Sequence, residues 1–175
     1  MSFAFSSDQT DIKQAIEDAE NNGVIFFAAA SNYGGHSGRK FPAKLDKVLC
    51  LHASDGNGNK SGMDPSPKPL SENLTTLGVA IPSIWEKGVY LAGTSYSTPV
   101  AVGIAANVLR FIEHVAKEDL LTEEQRNEAF SRTGMRKILV RIQRMELSGR
   151  TIRNSKVPLG GAPPPRPWVP ARTRA

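Results

Sequence analysis

The chain has one cysteine, two tryptophans and no acidic residue after Glu146. With Cys50 alone no intrachain disulfide can form, so nothing in the sequence requires an oxidising compartment. Cys50 sits in the apolar run 48–53 and reads as a small core residue. The first residues, Met-Ser-Phe-Ala-Phe-Ser-Ser-Asp, lack a basic stretch followed by a sustained apolar one, and no later run is expected to reach membrane-spanning length uninterrupted. No secretion signal and no membrane partner are therefore expected, and the compartment is left open. No cofactor and no metal are expected either. The segment Asp55-Gly-Asn-Gly-Asn59 lacks the full acidic pattern and terminal glutamate of a calcium loop, and reads as a turn.

The formal charge is +5, but its distribution argues against nucleic acid as a partner. Arg150, Arg153, Lys156, Arg166, Arg172 and Arg174 all lie beyond Glu146, and without those six cations the rest of the chain carries about −1. Only Trp168 interleaves this tail with an aromatic, whereas base stacking needs several.

The 175 residues suit one domain and a tail. Residues 1–5 read as a short strand, and Ser6, Ser7 and Asp8 offer caps for a helix carrying Ile12, Ala15, Ile16 and Ala19 at helical spacing. Gly23 suits the left-handed position after that helix. The continuous apolar run 24–30 reads as a parallel strand covered on both faces, completing a strand-helix-strand unit. Further strands are expected at 48–53, 77–81 and 88–92, a buried helix over 95–117 with Pro99 near its start, and an amphipathic helix over 133–147. The expected class is α/β, with a domain over 1–147 and a disordered, basic, proline-rich tail over 148–175.

Two motifs carry chemistry. Gly93-Thr94-Ser95-Tyr96-Ser97-Thr98-Pro99 opens a helix rich in small residues, including Ala101, Gly103, Ala105 and Ala106. A tight glycine turn of this kind presents a serine at the first turn of a buried helix, where free N–H groups and the positive dipole end favour an oxyanion. Upstream, Ala28-Ala29-Ala30-Ser31-Asn32-Tyr33-Gly34-Gly35 places an asparagine directly after an apolar strand. Taken singly, the first is an N-cap and the second a turn.

Together, and in this order, they resemble the subtilisin-like serine proteases (subtilases): the nucleophile motif G-T-S-x-A-T-P, with Ser97 in place of alanine, and the oxyanion segment A-A-x-G/S-N-x-G. Phe41-Pro42-Ala43 is similar to the family's aromatic-Pro-Ala segment, where a cis proline fits. Residues 1–5 are similar to the strand that binds extended substrate. The resemblance is strongest over 1–109, weakens to 147 and is absent beyond. It implies a partial subtilisin-like parallel sheet flanked by helices and lacking the N-terminal strands, acting on polypeptide substrates. It makes Ser95 the nucleophile, Asn32 the oxyanion donor, and Ser2, Phe3 and Ala4 substrate-binding. Ala4 stands where the family has glycine, which narrows the pocket.

The family's catalytic aspartate and histidine lie in D-S/T-G and H-G-T segments before the strand matched by 1–5, and this chain carries neither segment. His36, His52 and His114 stand in other contexts and read as surface or packing residues. The chain alone is therefore expected to be inactive or to need a missing N-terminal half as partner, with the outer edge of 1–5 bare. A second reading is a non-catalytic binding protein or pseudoenzyme acting through the cleft or through Pro167-Trp168-Val169-Pro170-Ala171-Arg172, a P-x-x-P-x-R pattern suited to proline-recognising domains.

Overall fold

The computed structural model describes residues 1–66 and 73–153, with side chains described through residue 144. Three parallel strands form the centre: β1 (Phe26–Ala29), β2 (Val48–Ser54) and β3 (Leu74–Leu77), in that spatial order. Phe26 pairs with Val48 and Leu51 with Leu74. Helix α1 (Thr10–Asn21) precedes β1. A two-stranded antiparallel hairpin, β4 (Ile81–Pro82) and β5 (Tyr90–Leu91), lies apart from this sheet and leads into α2 (Thr94–Lys117). Helices α3 (Glu123–Ala129) and α4 (Arg132–Arg153) follow.

All seven residues of β2 are buried, which explains its run of apolar side chains. Because side chains alternate along a strand, Val48 and Cys50 join Ile16, Ala28 and Ala43 on one face. Leu49 and Leu51 join Phe27, Ala101, Ala105, Met135 and Leu139 on the other. Each fully buried leucine of this kind contributes about 1.5–3 kcal/mol, so α1 and the α2–α4 pair are held by opposite faces of the same strand.

The α/β class with a parallel sheet flanked by helices is what the sequence indicated; several boundaries differ. Helix α1 begins at Thr10 with Gln9 before it, not at Ser6, Ser7 or Asp8, and Asp8 pairs with Lys44 at 2.5 Å. Gly23 takes φ +82° as expected. Residues 1–5 form no regular strand, yet they run along β1: the Met1 amine donates to the Phe27 carbonyl at 2.5 Å, and the Ala29 N–H to the Met1 carbonyl at 3.0 Å. Phe5 bridges Phe41, and the Phe41–Pro42 bond is cis. Among the described residues no strand pairs with the other side of this segment. In place of the strand expected at 77–81, β3 ends at Leu77 and the chain bends at Val79 and Ala80, where Ala80 takes φ 58°.

Helix α2 also corrects an expectation. At 24 residues it is long and apolar enough to cross a membrane, since Ser97, Pro99 and Asn107 do not interrupt it. Only one face, with Thr98, Ala101, Ala105 and Ile112, is buried, while Val102 and Phe111 are exposed, so α2 is not the wholly buried helix expected over 95–117. Helix α3 was not anticipated, although Thr122-Glu-Glu-Gln125 is a capping box with both reciprocal bonds made. Helix α4 runs six residues past the expected end at 147, because no proline intervenes before Pro158. Residues 154–175, including the P-x-x-P-x-R pattern, lie outside the described residues.

The α3–α4 corner depends on a missing side chain. A Cβ built on Gly134 would lie 1.9 Å from the Glu128 carbonyl oxygen, while the Gly134 N–H donates to Ser131 Oγ at 3.0 Å. Helix propensity alone would make Gly134→Ala a gain of about 1 kcal/mol. Here overpacking wins, and we expect a loss of about 1–3 kcal/mol. A denaturant midpoint that rises in Gly134→Ala would show that the corner is not so closely packed.

Candidate active site

The turn before α2 is held from two sides. Gly93 N–H donates to the Gly78 carbonyl at 2.8 Å, and Gly78 N–H to the Ser54 carbonyl at 2.9 Å, so the ends of β2 and β3 fix where α2 starts. A Cβ on Gly78 would fall 2.8 Å from Ala53 Cβ and 2.9 Å from the Gly93 carbonyl; one on Gly93 would fall 3.0 Å from Asn32 Nδ2. Gly78 requires glycine for this close approach, and at Gly93 a side chain would press on the Asn32 amide. Gly78 is a positioning residue that the sequence reading missed; a glycine directly after a strand was the available signal.

Asn32 follows β1 and reaches the same turn. Its Oδ1 accepts from the Thr94 N–H at 2.9 Å and from Thr94 Oγ1 at 3.0 Å. A backbone N–H can only donate, so the amide oxygen must face Thr94 and the NH2 group must face away from it. No acceptor for Nδ2 lies among the described residues. Ser31, just before it, carries φ 127°, a conformation that costs a non-glycine residue on the order of 1–3 kcal/mol and is characteristic of functional sites. Its N–H points to Thr94 Oγ1 at 3.4 Å.

Ser95 opens α2 next to Thr94 and is tied to the N-terminal segment by a reciprocal pair. Ser95 Oγ donates to the Ser2 carbonyl at 3.2 Å, and Ser2 Oγ donates to the Ser95 carbonyl at 3.1 Å. The second bond has a covalent cause. Pro99 lies inside the helix rather than at its edge, and its missing N–H leaves the carbonyl four residues back, that of Ser95, without a helical donor. The Ser2 hydroxyl fills that vacancy. The structure thus brings Ser2, Asn32 and Ser95 together; Phe3 and Ala4 lie exposed beside Ser2, with Phe3 edge-on to Phe5 at 5.6 Å.

The histidines lie elsewhere. His36 is exposed in the loop after Asn32, and His114 faces Glu118 at 3.5 Å on α2. His52 is buried on β2, with Cys50 Sγ at 3.9 Å and Arg39 Nη2 at 3.4 Å from its Nε2. Burial first, then the charges of Arg39 and Lys60, push its pKa down to about 4. A neutral folded imidazole contributes stability that is fully present above the unfolded value of 6.5 and is lost as pH falls toward 4. We expect about 2 kcal/mol less stability at pH 5 than at pH 7.5 from this group, and a flatter profile in His52→Gln. Asp64 acts oppositely: burial pushes its carboxyl up, so its ionisation costs stability as pH rises. The variant comparison isolates the histidine; urea midpoints with the same pH slope in both proteins would refute its role.

A parallel α/β sheet, with a glycine turn at the head of a long helix facing an asparagine after the neighbouring strand, is what the resemblance to the subtilisin-like serine proteases implies. No protein-family model matches the chain. It is 32% identical over 114 residues to Subtilisin DY of Bacillus licheniformis, covering 62% of this chain and 41% of that protein. It is 30% identical over 110 residues to Subtilisin Savinase of Lederbergia lenta, covering 62% and 40%. Among solved structures, the prenylagaramide maturation protease PagA superposes with a TM-score of 0.57 at 23% identity, covering 73% of this chain and 48% of PagA. The S218A mutant of the PatA protease domain superposes at 0.53 and 24%, covering 67% and 42%. In sequence the chain is similar to these subtilisins, and in fold to part of these two proteases. It spans less than half the length of these relatives.

Proposed function

We propose that this chain is the serine-bearing part of a subtilisin-type endopeptidase, with Ser95 as nucleophile, Asn32 as oxyanion donor, and Ser2, Phe3 and Ala4 as the edge that receives extended substrate. The observation that carries the reading is the Asn32–Thr94 lock, which turns the asparagine NH2 outward next to the residue bearing the nucleophile. In that role Ser95 Oγ bonds to the scissile carbonyl carbon, its proton passes to a base, and the carbonyl oxygen takes the negative charge toward Asn32 Nδ2. Collapse expels the amine, which takes the proton back, and water then releases the acyl group.

The base is the missing group. In this chain the Ser95 hydroxyl donates to the Ser2 carbonyl, which is no base, and no imidazole among the described residues stands beside it. Turnover therefore requires an N-terminal half with the family's aspartate and histidine, docked along the unpaired side of residues 1–5.

The test mixes the chain with a polypeptide carrying the D-S/T-G and H-G-T segments and follows a quenched peptide. Cleavage that appears only in the mixture and disappears with Ser95→Ala is expected. A mixture that co-elutes as one complex yet stays inactive would overturn the proposal.

A further inference from the structure

Away from Ser95, where the chain enters β2 and α4 begins, a cavity of about 230 Å3 is lined by Arg39, Lys44, Arg132 and Arg136, with Leu49 and Leu74 supplying apolar wall. Asp46 contributes a carboxylate. Lys44 is matched by Asp8 at 2.5 Å, and Arg136 is engaged within the chain. Arg39 differs in kind. Its Nη2 donates to Asn73 Oδ1 and faces His52 Nε2 at 3.4 Å, both neutral partners, while its Nε is buried with no acceptor among the described residues. A guanidinium with a buried, unmatched N–H bears a desolvation cost that a charged acceptor would remove.

Helix α4 adds to the imbalance. Arg132 stands in its first turn, where the helix dipole is already positive, and Arg136 follows four residues on, on the same face. Both placements are unfavourable for cations and favourable for an anion between them and Arg39. The planar fork of arginine matches a tetrahedral oxyanion, which accepts two bonds from each guanidinium.

We propose that this cavity binds a small oxyanion of the phosphate type, free or carried as a monoester, between Arg39 and Arg132. A phosphoryl group fills a minor part of about 230 Å3, and the remainder lies against Leu49 and Leu74, so a small apolar ester group also fits. The site is independent of the Ser95 cleft and of any proteolytic role.

Titration of the full chain with inorganic phosphate and with phenyl phosphate, by calorimetry and by thermal unfolding at matched ionic strength in chloride, tests this. A saturable rise in Tm is expected, with apparent affinity at least tenfold weaker in Arg39→Gln and in Arg132→Gln and unchanged in Arg110→Gln on the exposed face of α2. Tighter binding of phenyl phosphate would identify a monoester as the ligand, tighter inorganic phosphate the free ion. Should Arg39→Gln fail to fold, Arg132→Gln decides, since removing a cation from the first turn of α4 favours the helix. No response, or a non-saturating rise equal in all variants as salting effects give, would overturn the site.

Discussion

Alone, the chain is expected to leave a quenched peptide uncleaved over hours, and the added N-terminal half to raise the rate by three orders of magnitude or more. Three contributions decide this. With triad members removed, the oxyanion hole and substrate binding still supply about 10³–10⁴ over water, the range known for subtilisin itself. Peptide hydrolysis in water is so slow that this remainder stays invisible. The general base acts twice, taking the serine proton and returning it to the leaving amine, so its absence slows both halves of the reaction. Here the hydroxyl also starts from a bond to the Ser2 carbonyl, which must be broken before attack. Robust cleavage by the chain alone, abolished by Ser95→Ala, would show that a local group such as His36 serves as base.

The parts of this arrangement that could be read from the sequence are those fixed by short-range pattern. The run around β2 announces a strand covered on both faces, and Gly93-Thr94-Ser95 announces a turn into a helix. Motif order then aligns Ser95 with Asn32. What stayed hidden depends on tertiary neighbours. The pairing of Ser2 with Ser95 follows from Pro99, yet only the fold brings the N-terminal segment within reach of the orphaned carbonyl. Gly78 looks like any glycine after a strand until Ala53 and Gly93 are seen against it. The piece expected at 88–92 contains β5, but β4 has two residues, too few for a periodic signal. Arg39 and His52 are thirteen apart in sequence and share no motif, although the Arg39 charge adds to the burial that keeps the histidine neutral.

Asn32→Leu, placed in the complemented assembly, is expected to cut kcat by about 10²–10³, the range known for removing one such donor from subtilisin, with KM little changed. The split follows from where the bond strengthens. A ground-state carbonyl is a weak acceptor, whereas the transition-state oxygen carries charge, so an amide N–H aimed at it acts on kcat rather than on binding. Leucine keeps the side chain's bulk but loses both ends of the amide. The lost Oδ1 also releases Thr94, so the turn itself could shift. Thr94→Ala separates the two effects, because it removes the hydroxyl bond to Oδ1 and leaves the backbone N–H bond in place. A loss of less than tenfold is expected there. Asn32→Asp keeps the acceptor for Thr94 but presents a carboxylate to the developing oxyanion, and should fall at least as far as leucine. If Asn32→Asp retains most of the activity while Asn32→Leu and Thr94→Ala fall together, Asn32 serves to hold the Ser95 turn and the oxyanion is stabilised by other donors.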